Sequence, residues 1–192
     1  MSTLSPRSSA KLYPGDTFPR REVKLVQTGE MSLFPVHDSE LQTLIVCYRG
    51  CFDGQCREQL RVLDESKEMF RNRGIQVIAV SADTHQSAMK TVDDLHLNFP
   101  VYCELSLSIM RDWALFVTNP LDYVHPSVQP NHFSEPGWFL VTSDYTIRSL
   151  CISNSPAGGR VLPDQLDMLL EWNDSRSAAD NKYAATRYWG SA

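Results

Sequence analysis

No apolar run in the chain is longer than about five residues, Leu44-Ile45-Val46-Cys47-Tyr48 being one of the longest. A helix that spans a bilayer needs about 20, so a membrane span is excluded. The first ten residues, MSTLSPRSSA, hold no apolar core of the kind a secretory leader carries, so export is not expected. A cluster of Lys and Arg is also missing. Against 18 basic residues stand 23 acidic ones, a net charge of −5. An acidic chain without a basic patch is a poor partner for nucleic acid or an anionic membrane surface. There is no phosphate-cradling glycine loop: Gly158-Gly159-Arg160 is too short and no Lys-Ser/Thr follows it. Metal-ligand spacing is absent too. The cysteines have no second pair or neighbouring histidine, and His37, His85, His96 and His125 have no partner spacing. Neither metal nor cofactor is expected. Internal repeats and low-complexity stretches are lacking.

What remains is an ordinary globular composition over 192 residues, with 42% hydrophobic and 21% charged. A chain of this size buries about 70% of its unfolded surface and folds as one domain without disulfides or metal. Five cysteines are present: Cys47, Cys51, Cys56, Cys103 and Cys151. An odd count without a leader fits reduced thiols in the cytosol better than a secreted disulfide framework.

The pattern along the chain is α/β. Residues 1–10 are polar and expected to be disordered. Val23–Val26 and Met31–Leu33 flank Thr28-Gly29-Glu30 as a hairpin. Leu44–Tyr48 is an almost fully apolar run of the sort buried on both faces of a sheet, and Ile75–Val80 reads as a second buried strand. Between them Leu60, Leu63, Ser66 or Lys67, and Phe70 recur at helical spacing, and Gly74 ends the pattern. Strand, helix, strand makes a βαβ unit with parallel strands. Asp83 or Thr84 caps a second helix carrying Ala88, Val92 and Leu95. A strand at Phe99–Tyr102, a helix over Ser106–Phe116 and a proline-rich loop over Thr118–Pro130 follow. Two strands, Gly137–Val141 and Thr146–Cys151, flank a Ser143–Tyr145 turn. Pro163 then starts a helix carrying Leu166, Leu169 and Leu170. Residues 11–174 read as one domain, and 175–192 as a helical extension. In such sheets the site lies beyond the carboxyl ends of the parallel strands, here outside Tyr48 and Val80.

That position holds Tyr48-Arg49-Gly50-Cys51-Phe52-Asp53-Gly54-Gln55-Cys56-Arg57. The segment resembles the active-site turn of the peroxiredoxin-like redoxins, the alkyl hydroperoxide reductase/thiol-specific antioxidant (AhpC/TSA) superfamily. Their pattern is Tyr-Arg-Gly, two residues, then Cys-Pro-x-Cys. Ile78–Asp83, Phe133–Val141, and Asn154-Ser155-Pro156 with Leu162-Pro163-Asp164 are similar to further blocks of the same family. The resemblance spans residues 11 to about 189. It implies a thioredoxin-like fold, a mixed central sheet flanked by helices with an N-terminal hairpin extension. It also implies a cis peptide bond before Pro136.

The departure from the pattern carries more chemistry than the match. The attacking cysteine of Cys-Pro-x-Cys is Asp53 here, the proline is Gly54, and only Cys56 keeps its sulfur. A helix start lowers a thiol's pKa, but the Asp53 carboxylate caps the N–H groups of residues 55 or 56 and repels a thiolate. Three readings stay open. In the first, a repurposed enzyme uses Asp53 as general acid or base, with a pKa raised by apolar surroundings. Arg49 anchors an apolar small-molecule substrate, and Tyr48, Phe52, Trp113, Phe133, Glu135, Pro136 and Trp138 line the pocket, with Phe116 and His132 nearby. In the second, thiol chemistry survives through Cys56, with Cys51. In the third, the chain is a non-catalytic scaffold or partner protein. Arg49 with Glu135 as a structural ion pair, Asp53 as a plain helix cap and Cys56 as a buried apolar residue belong to the last. A homodimer is left open.

Overall fold

The computed structural model describes residues 11–35, 41–119 and 132–161. The helix expected from Pro163, the extension over 175–192, the disorder of residues 1–10 and nearly all of the proline-rich loop lie outside the described residues.

The hairpin forms as the pattern requires. Strands β1 (Arg21–Leu25) and β2 (Met31–Phe34) pair antiparallel around Gly29, whose φ of 73° suits the turn. Strand β3 (Gln42–Cys47) runs parallel to β4 (Ile75–Val80), in register from Gln42 opposite Ile75 to Cys47 opposite Val80. The connection between them is two helices rather than one: α1 (Gly54–Glu65) and α2 (Lys67–Asn72). The break falls at Ser66, whose ψ of 1° leaves the helical region. Just before it, the Asp64 carboxylate is drawn off by the Asn98 backbone and side chain at 2.7 and 3.0 Å and by Lys67 at 2.9 Å. Gly74, at φ 72°, ends α2.

Thr84, not Asp83, caps α3 (His85–Leu95), its hydroxyl accepting from the Ser87 N–H. Strand β5 is Val101–Cys103. Helix α4 covers only Leu107–Asp112, because Ala114 takes a left-handed φ of 57° and turns the chain into β6 (Val117–Thr118). Strand β7 (Phe133–Ser134) pairs with β6, an element the sequence pattern does not reveal. Strands β8 (Gly137–Val141) and β9 (Ile147–Ile152) complete a seven-stranded mixed sheet in the order β2-β1-β5-β4-β3-β8-β9.

Alternation along β3 divides the core. Leu44, Val46 and Tyr48 face one side with Cys56, Leu60 and Leu63 of α1. Ile45 and Cys47 face the other with Phe18, Phe34, Trp113 and Phe139. Both faces of β3 are therefore covered, which is why Leu44 to Cys47 is an unbroken apolar run. No described helix is long and apolar enough to cross a membrane.

Candidate functional site

Sheet register builds the site. Cys47 of β3 lies opposite Gly137 of β8 in an antiparallel ladder. Two residues onward on one strand and two back on the other set Arg49 against Glu135. The Arg49 Nε stands 3.3 Å from Glu135 Oε2, and its Nη1 reaches Asp53 Oδ2 at 2.6 Å, four residues along the chain. Thr118 of β6 donates to Glu135 Oε1 at 2.6 Å. Phe52 and Phe133 meet edge-on with centroids 5.0 Å apart, and the Arg49 guanidinium lies 5.5 and 4.9 Å from their rings. Arg49, Asp53 and Glu135 are each more than nine-tenths buried. The result is a closed ion cluster roofed by two aromatic rings.

Asp53 is the N-cap of α1. Its Oδ1 accepts from the N–H groups of Gln55 at 2.9 Å and Cys56 at 3.0 Å. Burial pushes its pKa up, but the Arg49 bond and the two backbone donors outweigh burial and hold it below the ordinary carboxylate value. The raised pKa expected for an acid/base Asp53 is thus reversed, because the carboxylate sits against a cation and helix donors rather than against bare apolar surface. A depressed folded-state pKa contributes stability that is present above the unfolded value and lost as pH falls through the folded one. An Asp53→Asn variant is expected to flatten that acid limb in urea melts between about pH 5 and pH 2. An unchanged limb means the cap is not what acid removes.

Cys56 is fully buried, and burial pushes its pKa up to about 12, with the negative charge of Asp53 adding to the rise. A backbone hydrogen bond from Arg49 pulls the other way but does not offset burial, and the Gln55 and Cys56 N–H groups are taken by Asp53. Cys51 is half-buried. Burial and then the nearby Asp83 carboxylate raise its pKa as well. All five thiols are free.

Several expected lining residues are elsewhere engaged. Trp113 is a core residue: it stacks on Phe34 at 5.1 Å, packs on Phe18 and donates its ring N–H to the Pro19 carbonyl at 2.8 Å. Tyr48 and Trp138 belong to the hydrophobic layer beneath α1. Phe116 is 52% exposed, and His132 is half-buried. The bond before Pro136 is trans; the cis bond found among the described residues precedes Pro35. Around Pro136 the chain is pinned as extended backbone, with the Glu135 N–H on the Phe116 carbonyl at 2.8 Å and the Pro136 carbonyl taking the Ser153 N–H at 3.0 Å. Thr118 and Asp83 are site residues the sequence reading missed. Thr118 sits in a proline-rich stretch without periodicity. Asp83 reads as a helix cap, yet a carboxylate directly after a fully buried strand end was a signal for a buried acid.

Metal-holding groups of three or more His, Cys, Asp or Glu side chains are absent among the described residues. What remains is a fixed carboxylate at the start of α1, held by one cation and two backbone donors.

Comparison with known proteins agrees with this frame. The model of the AhpC/TSA family matches residues 14–150. Peroxidoxin BcpB from Mycobacterium tuberculosis superposes with a TM-score of 0.66 at 13% identity, covering 86% of this chain and 98% of that one. A peroxiredoxin-like protein from Aquifex aeolicus gives 0.64 at 11%, covering 84% and 88%. The reduced 2-Cys peroxiredoxin of Plasmodium vivax gives 0.63 at 16%, covering 88% and 99%. No curated protein matches the sequence. The family match covers well over half of the chain and the structural likeness confirms the fold: this chain belongs to the AhpC/TSA family.

Proposed function

We infer that the protein is a peroxiredoxin-like chain without peroxidase chemistry, acting as a binding or scaffold protein in a thiol-reducing compartment. One observation carries this reading: Asp53, at the position where the resemblance implies the nucleophile, is a carboxylate whose oxygens are committed to Arg49 and to two backbone donors inside a closed cluster. An ionised Asp53 has no proton to give, and a carboxylate paired this tightly is a weak base, so the acid/base reading loses its support. The residual-thiol reading is no better placed. The reacting form of cysteine is the thiolate, and Cys56 is both buried and held protonated.

Treatment of the folded protein with hydrogen peroxide and a sulfenic-acid trap, followed by peptide mass spectrometry, tests the reading. Cys56 is expected to stay unmodified until the chain is unfolded, and no peroxide turnover is expected with a thiol reductant. Prompt trapping at Cys56, or a Cys51–Cys56 disulfide under native conditions, would overturn it.

A further inference from the structure

Asp83 joins the loop after β4 to the turn after β3, and its environment is unbalanced. Its side chain has no exposed surface. One oxygen, Oδ2, accepts from the Cys51 N–H at 2.9 Å and the Ser81 hydroxyl at 3.0 Å. The other, Oδ1, is buried without any hydrogen-bond partner. It is pressed against Gly50, where a methyl group would stand only 2.7 Å from it, and Gly50 holds a φ of 146° that only glycine adopts readily. The backbone around Asp83 is fixed: its carbonyl takes the Glu104 N–H at 2.9 Å. No cation pairs with the carboxylate among the described residues. The Gly50–Phe52 turn on the other side of the contact is closed by a longer bond, the Asp53 N–H to the Gly50 carbonyl at 3.2 Å.

We propose that the Gly50–Phe52 turn is a proton-operated cover, closed while Asp83 is protonated and released as Asp83 ionises, so that water reaches Oδ1 and the Cys51 thiol comes to the surface. A neutral carboxyl group tolerates a dry Oδ1 at little cost, whereas an ionised oxygen left unsolvated is strongly disfavoured. Gly50 packs directly on that oxygen, so displacement of the turn opens it to water. Burial raises the pKa of Asp83 to about 6, so the change of charge falls in a physiological range.

Three of the titratable groups facing Asp83 stay neutral there. Tyr48 from β3, Cys51 in the turn and Cys103 from β5 all have raised pKa values, burial being the largest cause for each. Arg57 of α1 acts on Cys51 and is paired with Asp94 at 3.1 Å. The Glu104 carboxylate is paired with Lys24 at 2.7 Å. His85 of α3 is two residues away, with its ring against the Val26 carbonyl at 2.9 Å.

Amide hydrogen exchange in the full chain measures the opening directly. With a closed-state pKa of about 6 and an open-state value of about 3.9, the opening constant rises about tenfold between pH 5 and pH 7. Protection of the Cys51 and Asp53 amides, corrected for intrinsic exchange, is expected to fall by that factor relative to Ile45 in β3. In Asp83→Asn, which copies the neutral carboxyl group, the ratio is expected to be flat; in His85→Gln the fall persists. Should the asparagine variant fail to fold, the wild-type ratio still decides. A flat Cys51-to-Ile45 ratio in the wild-type protein overturns the proposal. A fall shared equally by Ile45 does so too, since it reports global destabilisation, and so does a fall abolished by His85→Gln.

Discussion

An Arg49→Met variant is expected to lose about 3–5 kcal/mol of unfolding free energy at pH 7, the cost of leaving a buried charge unpaired. Arg49 is shared between Asp53 at 2.6 Å and Glu135 at 3.3 Å, and all three side chains are closed off from solvent. Methionine keeps much of the aliphatic volume between Phe52 and Phe133 while removing the cation. The two carboxylates then face each other without compensation. Against a typical domain stability of about 5–15 kcal/mol, that is a large fraction. The loss should shrink as pH drops toward 4, because without Arg49 the Asp53 carboxylate protonates more readily and the repulsion fades. Combining Arg49→Met with Asp53→Asn and Glu135→Gln should recover most of it, since replacing a whole buried ion cluster by neutral groups is often close to harmless. Urea unfolding of the single and triple variants at the two pH values gives the answer. A single variant within about 1 kcal/mol of wild type would mean that water already reaches the cluster, and that the site is open rather than closed.

How much of this was legible in advance divides along physical lines. The parallel pair β3–β4 could be read because strands buried on both faces favour apolar residues, and Leu44–Cys47 and Val77–Val80 show it without interruption. The placement of Asp53 was legible for a similar reason: a carboxylate ahead of a helix has a narrow set of uses, and capping residues 55 and 56 is the commonest. The Arg49–Glu135 pair was accessible as a possibility from charge alone, but its certainty comes from the register that sets Cys47 against Gly137. Other features depend on contacts distant in sequence. Ser66 interrupts the helix where Asn98, 34 residues beyond Asp64, captures the Asp64 carboxylate. Trp113 looked like pocket lining because aromatic residues suit both roles, and only its neighbours Phe18, Phe34 and Pro19 decide for the core. The same holds for Asp53's protonation: apolar neighbours suggested a raised pKa, and a cation with two helix N–H donors reversed the sign. Composition gives the solvent of a site; the partner in contact gives its charge state.

That charge state makes Asp53→Cys the most informative change of function. The substitution introduces a thiol at the N-cap of α1, where the N–H groups of Gln55 and Cys56 and the Arg49 guanidinium already converge on an anion. These donors stabilise a thiolate as they stabilise the carboxylate. The introduced thiol is expected to titrate well below the usual value of about 8.5, within the range of roughly 3.5–7.5 seen at helix N-termini beside a cation. At pH 7 between about a quarter and nearly all of it would be ionised, against a few per cent for an ordinary cysteine, a gain of about tenfold or more in reactive species. With hydrogen peroxide, the thiolate attacks one oxygen, the O–O bond breaks, and the departing hydroxide takes a proton to leave as water. The resulting sulfenic acid faces Cys56 three residues on and condenses with its thiol, releasing a second water and forming a disulfide. The expected result is a peroxide-dependent mass loss of two hydrogens on the peptide joining positions 53 and 56, reversed by reductant and absent from the parent protein. In an Arg49→Met background the introduced thiol should titrate closer to its ordinary value and react more slowly. If the thiol at position 53 reacts no faster than Cys151 and titrates normally, then the helix start and Arg49 have ceased to act as an anion site, and Asp53 is held there by burial alone.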